Sequence, residues 1–427
     1  IKLKDKGERL KIFHLSFLRE LVLHLSPFTF HPSPFSALIT NLRVLTILKM
    51  KKLLLILALL FPVLTYAQKK DKTPSTYDLL IGTYTKGKSK GILVYRFYVE
   101  TGKLAYLNQI EGVSNPSYLC ISKDNHFVYA VNEDGKDGGV SAFTFEPNLG
   151  KLTLLNKQSS EGADPCYISV DEDRKNAFVA NYTSGNLTVL PINKDGSLQP
   201  VSQNIQDQGK GPDASRQEGP HVHMAYFSPN EKYMLFTDLG TDKINIYRYH
   251  SSDAKPLSPA NPAVVNIKPG KGPRHMVFSP DKKYLYLLQE MGSAINVYKF
   301  NGGDPKEVQS VDMLPAGFKG TNGAAAIHIS PDGRFLYASD RLDASALMVY
   351  AINKETGELS FIQRQLTYGK NPRDFAIDPS GKYLLAANQD SDSILVFRIN
   401  QSTGTLSFIG NKIDVGNPVC LKFTPAE

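Results

Sequence analysis

Asn371-Pro372-Arg373-Asp374-Phe375-Ala376-Ile377-Asp378-Pro379-Ser380-Gly381 is the stretch that decides the fold. An Asn-Pro opens it, a short apolar run follows, and Asp-Pro-Ser-Gly turns the chain. Three more apolar runs follow at Tyr383–Ala387, Ile394–Ile399 and Thr405–Ile409, separated by Gln389-Asp390-Ser391-Asp392 and by Thr403-Gly404. Runs of five to seven residues rich in Val, Ile, Leu, Tyr and Phe, bounded by Asp, Gly and Pro, predict four strands, a to d. Outward from this unit the same phrase begins at Asn115-Pro116, Asp164-Pro165, Gly219-Pro220, Gly272-Pro273, Gly323-Ala324 and Asn417-Pro418. A four-stranded unit that recurs about every fifty residues cannot bury its own apolar faces, so the copies must stack around an axis.

The expected architecture is an all-β, seven-bladed β-propeller. Its last copy supplies only one strand, Val419–Phe423. The other three come from the start of the patterned region, at Asp78–Thr83, Ile92–Phe97 and Leu104–Gln109. One blade built from both termini closes the ring and removes an open sheet edge. No helical periodicity appears, which excludes a TIM barrel.

The patterned region is 68–427. Residues 50–67 read as a signal peptide: Met50-Lys51-Lys52, the apolar run Leu53–Phe61, then Thr65-Tyr66-Ala67. The run is short for a bilayer span, which takes about 20 residues. The expectations are cleavage after Ala67, export to the periplasm and no stable membrane anchor; if the signal is not used, the protein stays cytoplasmic. Residues 1–49 contain no Met and read as an upstream segment outside the domain. The net charge of +8 comes mainly from this leader. Beyond residue 67 the balance is 39 Lys and Arg against 38 Asp and Glu. Nothing there calls for nucleic acid. Cys120, Cys166 and Cys420 are widely spaced on strands and read as buried small hydrophobes.

Strand a is innermost and strand b runs back beside it. The starts of a and the ends of b therefore share one face of the disc. That face gathers His221, His223, Arg274, His275 and Arg373 from a strands, and Glu133, Asp238, Glu290 and Arg341 among others from b strands. The connections 207–218 and 312–323 enter there and are expected to rim a pocket. His221-Val222-His223 sets two imidazoles on one side of a strand by alternation. Either histidine is a candidate, and a structural role for one of them stays open. No third metal ligand stands at a suitable spacing, and no nucleophile elbow or P-loop occurs, so no metal or cofactor is expected.

The ordered set Ile81-Gly82-Thr83-Tyr84, Gly219-Pro220-His221-Val222-His223, Asp238-Leu239-Gly240-Thr241-Asp242, Gly272-Pro273-Arg274-His275, Asn371-Pro372-Arg373-Asp374-Phe375 and Ala387-Asn388-Gln389-Asp390-Ser391-Asp392 resembles the lactonase family of seven-bladed propellers over some 350 residues. That family includes propeller-type 6-phosphogluconolactonases and carboxy-cis,cis-muconate lactonizing enzymes. The resemblance implies metal-free hydrolysis of a sugar lactone. Its catalytic groups would be His221 or His223, Arg274, Glu290 and Arg341; His275, Arg373 and Asp238 would bind substrate. A monomer acting on a small anionic lactone or carboxylate is the matching expectation. The rival readings are the reverse cyclisation of an unsaturated dicarboxylate and a non-catalytic propeller that binds an envelope protein or glycan.

Overall fold

The computed structural model describes residues 46–52 and 74–426. The chain divides into two units, 1–72 and 73–427. In the first, residues 46–52 are helical. The rest of the expected leader and upstream segment lies outside the described residues. Among the described residues no helix is long and apolar enough to cross a membrane.

The second unit folds as seven four-stranded antiparallel sheets, numbered here in chain order from Thr76. The innermost strands are β4 (Leu119–Ile121), β8 (Pro165–Val170), β12 (Val222–Phe227), β16 (Pro273–Phe278), β20 (Ala324–Ile329), β24 (Pro372–Ile377) and β28 (Pro418–Pro425). Each packs against the innermost strand of the next sheet, and β28 returns to β4, so the ring is closed. The closing sheet has the order β28-β1-β2-β3, where β1 is Thr76–Thr83, β2 Gly91–Tyr98 and β3 Lys103–Glu111. The expected seven-bladed propeller sealed by both termini is the fold observed.

The second strands are β5 (Phe127–Asn132), β9 (Asn176–Asn181), β13 (Tyr233–Asp238), β17 (Tyr284–Gln289), β21 (Phe335–Asp340) and β25 (Tyr383–Asn388), with β1 in the closing blade. Most are buried along their whole length, because a neighbouring blade covers each face. The outer strands alternate, as in β27 (Leu406–Asp414), which has one face in solvent. The core therefore lies between blades. Phe375, Leu384 and Phe397 of one blade pack against Tyr337, Leu347 and Val349 of its neighbour. Full burial of each such large side chain is worth about 1.5–3 kcal/mol.

The repeated turn residues do what their chemistry suggests. Ser279 Oγ donates to Asp281 Oδ1 at 2.6 Å and accepts the Tyr284 amide at 2.9 Å. Ser330 and Asp332 repeat the pair at 2.7 Å. Gly404 closes the Thr403-Gly404 turn at φ +77°, against the Phe335 ring of the preceding blade, and its carbonyl accepts the Tyr337 hydroxyl at 2.9 Å. A side chain at that position would meet both a steric and a conformational barrier.

Candidate active site

Two rings of equivalent positions face one end of the propeller axis. The outer ring consists of the residue that follows each second strand: Tyr84, Glu133, Tyr182, Leu239, Glu290, Arg341 and Gln389. In all seven blades the amide of this residue donates to the carbonyl just before the innermost strand, at Asn417, Asn115, Asp164, His221, Gly272, Gly323 and Asn371 respectively. The backbone there is the same each time and only the side chain varies. The inner ring comes from a recurrent bulge. In six blades one extra residue separates the first pair of the innermost strand from the rest of its ladder. The inner-ring residues so set off are Cys166, His223, Arg274, Ala325, Arg373 and Val419. A bulge leaves its residue outside the ladder and re-aims the side chain, here toward the axis.

This register corrects one reading of the repeat. Val222 pairs with Asp238 as Pro273 pairs with Gln289 and Pro372 with Asn388. The blade's counterpart of Gly272-Pro273 is therefore His221-Val222, not Gly219-Pro220. His223 takes the Arg274 slot. His221 precedes the strand, so the two imidazoles do not share one strand face as alternation had suggested. The His221 ring stacks on Tyr182 with centroids 4.5 Å apart, and its Nδ1 lies 3.0 Å from the Tyr182 carbonyl.

A cavity of about 210 Å³ opens between the rings, lined by Glu133, Cys166, Tyr182, Arg216, His223, Glu290, Arg341 and Arg373. Glu290 lies at its centre of charge. Its Oε1 meets Arg216 Nη2 at 2.6 Å, and its Oε2 meets Arg274 Nε at 2.9 Å and Arg341 Nη2 at 3.1 Å. Burial alone would push the carboxyl up, but Arg341, Arg274, His223 and Arg216 outweigh it and hold Glu290 well below the usual carboxylate range. Arg274 is 2 % exposed and is engaged behind the cavity, by Glu290 and by the Ala325 carbonyl. Burial, with Arg341 and Arg373 nearby, brings its guanidinium down to about 10, which leaves it charged at neutral pH.

The other carboxyl behaves oppositely. Glu133 makes no ion pair among the described residues; it accepts the Tyr84 hydroxyl at 2.9 and 3.0 Å. Burial pushes its carboxyl up, and Arg373 offsets this only in part. Arg373 also lacks an ion pair among the described residues, and its guanidinium stands 5.5 Å from the centre of the Tyr84 ring. Burial, followed by the charge of Arg274, holds His223 well below its ordinary value, so it is a neutral imidazole near pH 7.

A family model described as "Lactonase, 7-bladed beta-propeller" matches residues 78–423. The chain belongs to the lactonase family of seven-bladed β-propellers. It is 36 % identical over 345 residues to the 6-phosphogluconolactonase of Bacillus subtilis, a match covering 80 % of this chain and 97 % of that one. Among solved structures, a putative 6-phosphogluconolactonase from Bacteroides fragilis has a TM-score of 0.80 at 42 % identity, over 83 % of this chain and all of its own. The periplasmic gluconolactonase of Pseudomonas aeruginosa has the same TM-score and coverage at 38 % identity.

In this lactonase propeller the expected site residues separate into two groups. His223, Glu290, Arg341 and Arg373 line the cavity, and Arg274 braces Glu290 from behind. His221 reaches the cavity only through Tyr182. His275 is buried beneath it, edge-on to His223 at 5.3 Å, and does not line it. Asp238 is not brought to the cavity at all: it is fully buried, and its Oδ1 accepts the amides of His221, Gly240 and Thr241 at 2.7, 2.9 and 3.1 Å. As the last residue of β13 it holds the strand end, and the cavity-facing slot is one residue later. Of the four other lining groups, the repeat places Glu133 at this mouth without assigning it a role, and Tyr182, Arg216 and Cys166 are not among the expected site residues. Glu133 occupies the slot of Glu290 three blades earlier, a signal the repeat does carry. Tyr182 shares that slot. Arg216 enters from the 207–218 connection, which was expected at the rim, but nothing local marks it. Cys166, expected as a buried small hydrophobe, is buried, and it also takes in its own blade the slot that His223 takes in the next, with Sγ 3.9 Å from His223 Nδ1. Among the described residues no three His, Cys, Asp or Glu are grouped to hold a metal ion.

Proposed function

We propose that this lactonase propeller hydrolyses a sugar lactone in the cavity between Glu133 and Arg373. One observation carries the reading: two carboxyls share the cavity, and their surroundings drive them apart. Such a split assigns roles. Glu290, wrapped by three guanidiniums, stays ionised and positions them. Glu133, raised and without an ion pair among the described residues, is the group suited to move a proton.

Glu133 takes a proton from water as the water oxygen bonds to the lactone carbonyl carbon. The carbonyl oxygen gains charge and is met by Arg373 and Arg341, whose donors are already in place. The ring carbon–oxygen bond then breaks, and the leaving alkoxide takes the proton back from Glu133. The product is the open-chain hydroxy acid. Proton transfer by a placed carboxylate is worth about 10²–10⁴ in rate. The neutral imidazole of His223 is suited to bond a sugar hydroxyl. A cavity of about 210 Å³ lies below the size range of drug-sized pockets, about 300 Å³ upward, and suits a single sugar ring.

Four arginines against two glutamates leave the site cationic, which favours an acidic substrate such as 6-phosphogluconolactone. The leader at 50–67 and the likeness to a protein named periplasmic gluconolactonase favour export and an unphosphorylated lactone. The test is lactone opening by the purified protein at neutral pH, corrected for spontaneous opening, with 6-phosphogluconolactone and gluconolactone side by side. Acceleration of either that is lost in Glu133→Gln supports the reading. No acceleration of any sugar lactone removes it.

A further inference from the structure

A second cavity, of about 410 Å³, lies toward the other end of the axis. It is lined by Tyr118 and all of β4, by the C-terminal parts of β8, β12 and β28 and by the turn after β12, whereas the first cavity sits where innermost strands begin. The two share no lining residue. A layer of rings lies between them. His275 packs edge-on against Tyr118 at 6.0 Å and Tyr167 at 5.6 Å, and against His223 at 5.3 Å.

The walls are aromatic. Tyr118 and Tyr167 stack with centroids 4.1 Å apart, and Tyr226 and Phe227 complete the surface. Into this wall projects Lys422, half-buried, with no ion pair among the described residues. Its Nζ donates to the Tyr118 hydroxyl at 2.9 Å and lies 4.2 Å from the centre of that ring. An ammonium has three donors, and a phenol oxygen satisfies one without neutralising the charge. Asp374 is a countercharge nearby but forms no ion pair with Lys422 among the described residues: its Oδ2 accepts the Leu421 amide at 2.8 Å and its Oδ1 faces His328 at 3.5 Å. Ser169 also lines the cavity, but its Oγ is turned away from that space and is buried, without a hydrogen-bond partner among the described residues. Glu231 at the edge, its Oε1 bonded to the Glu172 amide at 3.0 Å, sets a negative group there that disfavours dianions.

We propose that this cavity is a second ligand site, for a small monocarboxylate carried on a flat ring. The carboxylate would meet Lys422, and the ring would lie against the tyrosines. The proposal is independent of the lactonase reading, since none of its residues takes part in that chemistry.

Benzoate is the probe. Titration of the full chain, followed calorimetrically, should give saturable binding that weakens at least about tenfold in Lys422→Met, the cost of one lost charge-assisted contact, and remains unchanged in Arg373→Met. Benzyl alcohol, of the same shape without the charge, should bind more weakly than benzoate. A measurement without mutation guards against a misfolded variant. Cys120 lines this cavity and is partly exposed, while Cys166 and Cys420 are buried, so benzoate should slow alkylation of Cys120. Binding lost in Arg373→Met but kept in Lys422→Met would place the anion in the other cavity and overturn the proposal. So would the absence of saturable binding, or Cys120 alkylation indifferent to benzoate.

Discussion

Arg216 meets Glu290 at 2.6 Å although 74 residues separate them, and it does so from a connection with no regular structure. The neighbouring Gln217 is fully buried, donating to the Leu239 carbonyl at 2.8 Å and to Asp242 at 2.9 Å. The loop is thus nailed down at Gln217 and laid over the cavity by Arg216. Because the Arg216 side chain is 44 % exposed, its ion pair is screened and worth little to folding, about 1 kcal/mol or less. Arg216→Ala should leave Tm nearly unchanged while lowering kcat/KM about tenfold, a change of roughly 1.4 kcal/mol in transition-state stabilisation. Steady-state lactone opening and a thermal melt on the same variant check both halves.

The inner half of that cluster should behave differently. Arg274 and Glu290 are both nearly inaccessible, so removal of one partner strands the other. Arg274→Met should destabilise the fold by about 3–5 kcal/mol, read by urea unfolding. Arg341 and Arg216 remain to pair with Glu290, which places the expected value at the lower end.

The blade count, the closure by both termini and the shared mouth of the site were legible in the sequence because they depend on period and alternation, which burial between blades enforces. Phase within a blade was less legible. His221-Val222 replaces the small-Pro step of other blades, and an earlier Gly219-Pro220 imitates it, so the pattern alone set the frame two residues early. The recurrent bulge was not legible either. It arises from how strand a meets strand b, and no residue type announces it. Arg216 belongs to a loop whose path is fixed by Gln217 and Asp242, contacts that exist only after the blades have assembled.

The frame has a consequence for the two histidines. His223 lines the cavity; His221 supports Tyr182 by stacking. His223→Ala should lower kcat/KM by about ten- to a hundredfold, in keeping with loss of one or two hydrogen bonds to substrate. His221→Phe keeps the stacked ring and should retain most of the activity. Equal losses in both variants would contradict the separation of their roles.

Closure rests on β28. Its Cys420 is fully buried, and it pairs with β1 from Tyr77 opposite Pro425 to Thr83 opposite Pro418. Deletion of residues 417–427 would bare the edge of β1 and the core around Leu79 and Ile81. The expected outcome is an insoluble or unfolded product, since an exposed sheet edge recruits other chains. A soluble protein with an unchanged melting temperature would contradict a ring sealed by this strand.

Acid should act on stability and on rate through different groups. His223 and His275 are both held well below 6.5 in the fold, each first by burial and then by the charge of Arg274. Below pH 6.5 the unfolded chain binds protons at these positions that the folded chain does not. Their contribution is therefore complete above that pH and lost as pH falls, at up to about 1.4 kcal/mol per pH unit for each histidine. Glu290 adds to the loss below its ordinary 4.5, because its folded value is depressed. Activity should fail for a separate reason. Glu133 must be ionised to take a proton, and its value in the fold lies above 4.5. The rate should rise with pH through an apparent pKa above 4.5 while the protein is still folded. Glu133→Gln should lose the rate and that acidic limb together, whereas His223→Ala should keep the limb. A pH–rate profile run beside circular dichroism at each pH distinguishes the two effects, and a limb that persists in Glu133→Gln would move the proton transfer to another group.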